Sequence, residues 1–86
     1  MNYKLSKHAL DVIESRDISL KWIDYVLNNP TRKDIISSNE MHFFSTIIEN
    51  ESRCLKIVLN PITFVVITAY FDRNMRKKGC NENSIR

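Results

Sequence analysis

Four side chains in this 86-residue sequence are of the types that metal-free RNA cleavage requires: His8, Arg16, Arg53 and Tyr70. Such a reaction needs a base to accept the ribose 2′ proton, an acid to protonate the leaving oxygen, and cations to neutralise the strained phosphate. One interpretation places the four residues along a single groove, with His8 or Tyr70 in proton transfer. Their spacing alone does not establish that they meet.

Each of these residues also has a purely structural interpretation. His8 could close the packing of a helix on a sheet, and Arg16 could cap the carbonyls at the end of that helix. Arg53 could be a solvated charge in a hairpin. Tyr70 could place its ring in the core and its hydroxyl at the rim. The sequence leaves both sets of interpretations open.

The positive charge of the chain is concentrated at its end. The formal net charge is +3. Residues 1–70 carry equal numbers of acidic and basic side chains, so residues 71–86 supply the whole excess. A neutral body with a basic tail suits a polyanion or an acidic protein partner, although a frayed, solvated terminus has the same composition. The candidate RNA contacts are Lys7, Arg73, Arg76, Lys77 and Lys78.

Several classes of site are missing from the sequence. Gly79 is the only glycine, which excludes the glycine-rich loops that cradle nucleotide phosphates. Four side chains could bind zinc: His8, His42, Cys54 and Cys80. None of them are paired at the short spacing that is typical of zinc sites. The sequence therefore predicts no metal and no small-molecule cofactor.

The two cysteines and the apolar segments indicate in which cellular compartment the protein is located. Two cysteines do not make the dense disulfide framework of a small secreted protein. The first residues form no apolar signal segment, and the longest apolar stretch, residues 64–71, is far below the ~20 residues that cross a bilayer. We therefore expect a cytoplasmic protein with reduced thiols and no association with membranes.

Two helices are predicted in the first third of the chain. Ser6 is a good N-cap for a helix over residues 6–15, which has apolar residues at helical spacing. Ser19 begins a second helix over residues 19–28, and Ile18 before it can pack on Ile23. Pro30 ends this helix, because proline disfavours helical geometry in the preceding residue.

The rest of the chain has the pattern of strands. Residues 33–37, 41–49, 53–60 and 62–71 are rich in β-branched and aromatic residues, and their short connections predict antiparallel pairing. The prediction is an α+β domain in residues 1–72, with two N-terminal helices packed on a three- to four-stranded antiparallel sheet. Residues 3–5 are a possible short first strand. Residues 73–86 are expected to form a basic tail, flexible or a short helix.

A resemblance to a known family covers residues 3–72. The segment Lys4-Leu5-Ser6-Lys7-His8-Ala9, followed by Arg16, Ile18-Ser19 and Asn29-Pro30, resembles the pattern of the domain of unknown function family 4258. Residues 53–59 and 65–70 resemble the strands of that family. By position, His8 and Arg16 match its most characteristic polar residues, and Thr68 and Tyr70 match its final strand. Asp17 departs from the pattern, which has glycine at this position.

That family is similar in topology to the RelE, ParE and BrnT toxins of bacterial type II toxin-antitoxin modules. The resemblance implies a RelE-like fold and a cytosolic ribonuclease toxin, neutralised by a cognate antitoxin that is encoded beside it. Asp17 in place of glycine implies that the turn between the helices is built differently or tolerates a left-handed aspartate. Residues 40–43 stand where the family often has an arginine beside an aromatic residue.

Two hypotheses follow. The first is a toxin that acts as a metal-independent RNA endonuclease, in which Arg16, Arg53 and Arg73 bind phosphate. The second is a non-catalytic interaction domain of the RelE/ParE fold that blocks a target or binds a partner protein. A regulatory RNA-binding domain is a third hypothesis, and the sequence also leaves open whether the protein forms a homodimer. Truncation after Phe71 is expected to weaken RNA or antitoxin binding more than folding.

Overall fold

The chain forms two N-terminal helices that begin at serine caps, followed by strands that are joined by short turns. The computed structural model describes residues 1–77, 79 and 80, with the side chains of residues 76 and 77 excepted. In chain order the elements are β1 (Lys4–Leu5), α1 (Lys7–Ser15), α2 (Leu20–Asn28), β2 (Arg32–Ser37), β3 (Glu40–Ile47), a 3-10 turn (Ile48–Asn50), β4 (Arg53–Asn60), β5 (Val65–Phe71) and α3 (Arg73–Lys77).

The two N-terminal helices begin where the serine caps predict. The Ser6 hydroxyl accepts the backbone N–H of Ala9 at 3.0 Å, and the Ser19 hydroxyl accepts that of Lys21 at 3.1 Å. Each bond satisfies a backbone donor that the helix itself leaves free. Asp17 lies between the helices with φ 53°, so of the two alternatives for this turn the structure shows a left-handed aspartate.

The sheet has five strands in the order β1-β5-β4-β3-β2. Strands β2 to β5 form the antiparallel meander that the short connections predict, while β1 pairs with β5 in parallel. The α+β class is therefore confirmed. The predicted antiparallel strands and the possible short first strand are all present, and the parallel pairing of β1 makes the five-stranded sheet mixed rather than antiparallel throughout. Strand β1 is only two residues long and is too short to show a periodicity, so nothing in the sequence indicated how it would pair.

A bulge in β5 changes which of its side chains face the helices. The register shifts between Val58 and Leu59, where Val58 pairs with Thr68 and Leu59 pairs with Val66. Ile67 is the extra residue, so Val66 joins the core beside Ala69. Strict alternation would put Tyr70 and Val66 on one face of β5, but they lie on opposite faces, because simple alternation does not continue through a bulge.

The sheet carries two unequal clusters of buried side chains. Helices α1 and α2 pack on one face and enclose the main core, in which Ile23, Leu55 and Ile57 are fully buried. On the opposite face Phe44 packs with Cys54, Cys80 and Met75. Helix α3 lies against β4 and therefore belongs to the layer on this second face.

The expectation of two free thiols is wrong for this structure. Cys54 in β4 and Cys80 after α3 form a disulfide, with their Cα atoms 5.3 Å apart. The cysteines are 26 residues apart in sequence, and they meet because α3 returns the chain beneath β4. In the described part of the chain, no helix is both long enough and apolar enough to cross a membrane.

Candidate functional site

An open cavity lies where the end of α1, the start of β4 and the junction of β5 with α3 meet. Its volume is about 470 Å³. Three of the residues that line it are arginines, and the full lining consists of Arg16, Asp17, Trp22, Asn50, Arg53, Phe71 and Arg73. We call it the arginine cavity. It brings together the three arginines that the sequence analysis assigned to phosphate binding.

Backbone features place the three arginines at this cavity. Arg16 ends α1, and its N–H donates to the carbonyl of Val12 at 2.9 Å. Arg53 is the first residue of β4, and Arg73 is the first residue of α3. Asp72 fixes the start of α3, because its carboxylate accepts the N–H of Met75 at 3.1 Å while its own N–H donates to the carbonyl of Cys54 at 2.8 Å.

Aromatic rings support one of these guanidinium groups. The Arg53 guanidinium carbon lies 5.0 Å from the centre of the Phe71 ring, which is within the range of a cation–π contact. The Trp22 ring meets Phe71 edge to face, with ring centres 6.0 Å apart. The Trp22 indole N–H in turn donates to Glu49 at 3.3 Å. Arg53 is therefore held in position before any ligand arrives.

The cavity carries an excess of positive charge. Its lining contains three guanidinium groups and one carboxylate, that of Asp17. Arginine stays protonated in proteins, and its planar fork of N–H donors matches the oxygens of a phosphate. Among the described residues, no acidic side chain forms an ion pair with Arg16, Arg53 or Arg73. Their donors are therefore available to an anion.

The other two candidate catalytic residues lie elsewhere. His8 is exposed in the first turn of α1 and does not line the cavity. Tyr70 lies on the sheet face opposite α1 and α2, where its hydroxyl accepts a hydrogen bond from the Lys56 ammonium at 2.8 Å. The structure thus brings Arg16 and Arg53 together and separates both of them from His8 and Tyr70.

The face that carries Tyr70 is a weaker candidate for binding an anion. Its basic side chains already have hydrogen-bonded partners: Lys56 has Tyr70, Arg32 has Asp34 at 2.7 Å, and His42 has Glu40 at 2.8 Å. Lys56 also lies 5.8 Å from the centre of the Phe44 ring. Arg32 Nη1 has no hydrogen-bond partner among the described residues but is buried, so an incoming anion would have to compete with the existing partners, whereas no described ion pair involves the arginines of the arginine cavity.

The candidate RNA contacts fall into two groups. Lys7 is exposed on α1, and Arg73 lines the arginine cavity. The side chains of Arg76 and Lys77, and all of Lys78, lie outside what the structure describes. In the described part of the chain, no group of three or more His, Cys, Asp or Glu side chains could hold a metal ion.

Sequence reasoning missed the non-charged walls of the cavity. Trp22 is on the apolar stripe of α2, and Phe71 ends an apolar strand, so both have the pattern of core residues. The one available signal was the placement of Phe71 beside Asp72 and Arg73, where an apolar strand changes into a charged segment. The side chains of Lys56 and Tyr70 meet only through the register of β4 with β5, which no local pattern gives.

Fold and cavity together define a small α+β domain with an open, arginine-lined cavity at one end of its sheet. The profile of the family described as Domain of unknown function (DUF4258) matches residues 5–71, and the chain belongs to this family. Comparison with curated proteins and with solved structures gives no significant match. The matched residues include the whole lining of the arginine cavity except Arg73.

Proposed function

We propose that this protein is the toxin of a type II toxin-antitoxin module, that its domain is RelE-like, and that it cuts RNA without a metal ion. The observation that carries the proposal is the arginine cavity. Three guanidinium groups from distant parts of the chain converge there without acidic partners among the described residues. The family resemblance described above supplies the toxin class, and the cavity supplies a place for the phosphate.

The cavity suits the backbone of single-stranded RNA. Arg16 and Arg73 are exposed, so they can reach phosphates in solvent, while Arg53 is held over Phe71. Proteins that bind single strands combine positive charge with aromatic side chains on which bases stack. Trp22 and Phe71 supply the aromatic component of the lining.

The chemistry we propose is attack of the ribose 2′ oxygen on the adjacent phosphorus. In the arginine cavity, Asp17 is the lining residue that can accept a proton, so it replaces His8 and Tyr70 as the base in this proposal. Its carboxylate takes the 2′ proton, the new O–P bond forms, and the bond from phosphorus to the 5′ oxygen breaks. The 5′ oxygen takes a proton from water. Arg16, Arg53 and Arg73 neutralise the charge that develops on the phosphate.

The test uses purified protein and a labelled single-stranded RNA in the presence of a chelator. We expect products that end in a 2′,3′-cyclic phosphate and a 5′ hydroxyl. Asp17→Asn should remove cleavage and keep RNA binding, because asparagine tolerates the left-handed backbone of this position. Lys33→Gln is the matched control, since Lys33 is an exposed cation of β2 that does not line the cavity. Unaltered cleavage by Asp17→Asn would remove Asp17 from the mechanism.

A second candidate function is binding without cleavage, and the edge of the sheet favours it. Strand β2 is an edge strand, and its Ile35 and Ile36 side chains are 78% and 52% exposed. Exposed edge strands accept an added strand from another chain, and a cognate antitoxin segment is the partner we propose there. In this case Ile35→Lys should abolish partner binding, and wild-type protein should yield no RNA product.

A further inference from the structure

A second open cavity lies beside the arginine cavity and shares Trp22 with it. It is formed between α2 and the end of β3, and its volume is about 350 Å³, within the range of small-molecule sites. We call it the side pocket. Its lining consists of Lys21, Trp22, Tyr25, Thr46, Ile47, Ile48 and Glu49.

The walls of the side pocket are largely aromatic and apolar, although they face solvent. Tyr25 is 49% exposed and Ile48 is 78% exposed, and Trp22 is only partly buried. Aromatic rings that stay accessible in this way offer a surface on which a planar ring can stack. The pocket is therefore suited to a flat heteroaromatic group.

A carboxylate lies in the same lining. One oxygen of Glu49 accepts the Trp22 indole N–H at 3.3 Å, which ties the carboxylate to the aromatic wall. A carboxylate has about four lone-pair positions, so Glu49 can still accept hydrogen bonds from a ligand. Guanine is the base whose Watson–Crick edge presents two adjacent N–H donors to such a group.

Charge and continuity favour a nucleotide as the occupant. The side pocket and the arginine cavity share a wall at Trp22, so a ligand with an anionic group next to a planar ring can occupy both. Together the two linings contain Arg16, Arg53, Arg73 and Lys21, against the carboxylates of Asp17 and Glu49. The excess of cations matches a phosphate, which a purely apolar peptide segment lacks.

We propose that the side pocket binds a guanine base of single-stranded RNA whose phosphate lies in the arginine cavity. The base stacks on Trp22 or Tyr25, and its N–H donors bond to Glu49. This inference rests on the proposed RNA binding and gives it a sequence preference. It does not depend on cleavage, since base binding and bond breaking involve different residues.

The test measures the binding of 2′-O-methyl oligonucleotides, which cannot be cut because their 2′ oxygen has no proton to lose. Oligouridines about eight nucleotides long are compared with the same chains carrying one central guanine. We expect wild-type protein to bind the guanine-containing chain about tenfold more tightly. Trp22 is the only tryptophan, so its fluorescence reports directly on the shared wall and should change on binding.

Two variants separate the pocket from the arginine cavity. Glu49→Gln should remove the guanine preference, measured as the ratio of the two affinities, because the amide has one acceptor oxygen where the carboxylate has two, while it keeps the shape of the side chain and an oxygen for Trp22. Tyr25→Ala should lower the affinity for the guanine-containing chain about fivefold or more. Glu14→Gln is the matched control, since Glu14 is exposed on α1 and lines neither cavity. Circular dichroism verifies that each variant is folded.

The outcomes distinguish this inference from the proposed function. Binding that requires the arginines but shows no guanine preference and no change in Trp22 fluorescence would overturn the inference and leave the function standing. A Tyr25→Ala variant that binds RNA normally but no longer binds its antitoxin would assign the side pocket to a protein partner. That result would also overturn the inference of a guanine site. If wild-type protein binds neither oligonucleotide, the proposed RNA binding fails first.

Discussion

The guanidinium of Arg53 differs from those of Arg16 and Arg73 in being held before a ligand binds. It lies 5.0 Å from the centre of the Phe71 ring, whereas the other two side chains are exposed. Ordering a long side chain costs conformational entropy, and Arg53 has already lost much of its freedom in folding. We infer that Arg53 is the fixed element of the arginine cavity and that the exposed arginines close on the phosphate.

The salt dependence of RNA binding tests this assignment. For single strands, each phosphate contact contributes about 0.7 to the slope of log affinity against log salt concentration. Arg53→Gln should therefore lower the magnitude of the slope by about 0.7, and Lys33→Gln should leave it unchanged. Fluorescence anisotropy over a salt series measures both. Equal slopes for wild-type and Arg53→Gln proteins would place the phosphate elsewhere.

Tyr3 allows a prediction about pH. Burial raises the pKa of Tyr3 to about 12, and the hydrogen bond to Asp24 at 2.5 Å and the charge of that carboxylate act in the same direction. A phenol whose pKa is higher in the folded state stabilises the fold fully below its unfolded pKa of about 10. That contribution is lost as the pH rises through the folded pKa.

We therefore expect the free energy of unfolding to fall between about pH 10 and about pH 12, in part because of Tyr3. Tyr3→Phe should destabilise the protein at about pH 9, and the difference from wild type should shrink as the pH rises. Urea unfolding at several pH values measures it, with the exposed Tyr25→Phe as the control. A difference that does not change with pH would contradict the assignment.

At the scale of elements, the two N-terminal helices could be predicted from the sequence. The buried cluster on the second face of the sheet could not. Ser6, Ser19 and Pro30 define helix ends by local chemistry, and the structure follows them. The parallel pairing of β1, the bulge at Ile67 and the return of α3 beneath β4 depend on contacts between distant residues. For the same reason no local pattern indicated that Cys54 and Cys80 would meet.

The disulfide changes the expectation for the end of the chain. The sequence predicts that truncation after Phe71 weakens binding more than folding, but Met75 and Cys80 cover Phe44 on the second face of the sheet, so folding should also suffer. We expect Cys80→Ser to lower the free energy of unfolding by about 2 to 4 kcal/mol, because the cross-link restricts the unfolded chain. Urea unfolding of wild type with and without reductant, beside the variant, measures this. Identical stability in all three samples would contradict a structural role for the bond.

At the scale of the whole molecule, the fold brings arginines from distant parts of the chain together. The net charge of +3 comes from the last 16 residues, and the body taken alone is neutral. Folding nevertheless gathers Arg16 and Arg53 from that neutral body beside Arg73 at the start of α3. The sequence thus identified the three arginines as candidates for phosphate binding. Their assembly, and the separation of Tyr70 from them, could not be predicted, because both depend on the register of distant strands, whereas the distance of His8 from Arg16 follows from their spacing along one helix.

The most direct test of the account is the cleavage of a single-stranded RNA by purified protein in the presence of a chelator. Wild-type protein should produce fragments that end in a 2′,3′-cyclic phosphate, Arg16→Gln and Arg73→Gln should each reduce the rate strongly, and Lys33→Gln should match wild type. Both arginines are exposed, so their replacement should leave the fold intact. Full cleavage by both arginine variants, or no cleavage by well-folded wild-type protein, would contradict the arginine cavity as the catalytic site of an RNA endonuclease.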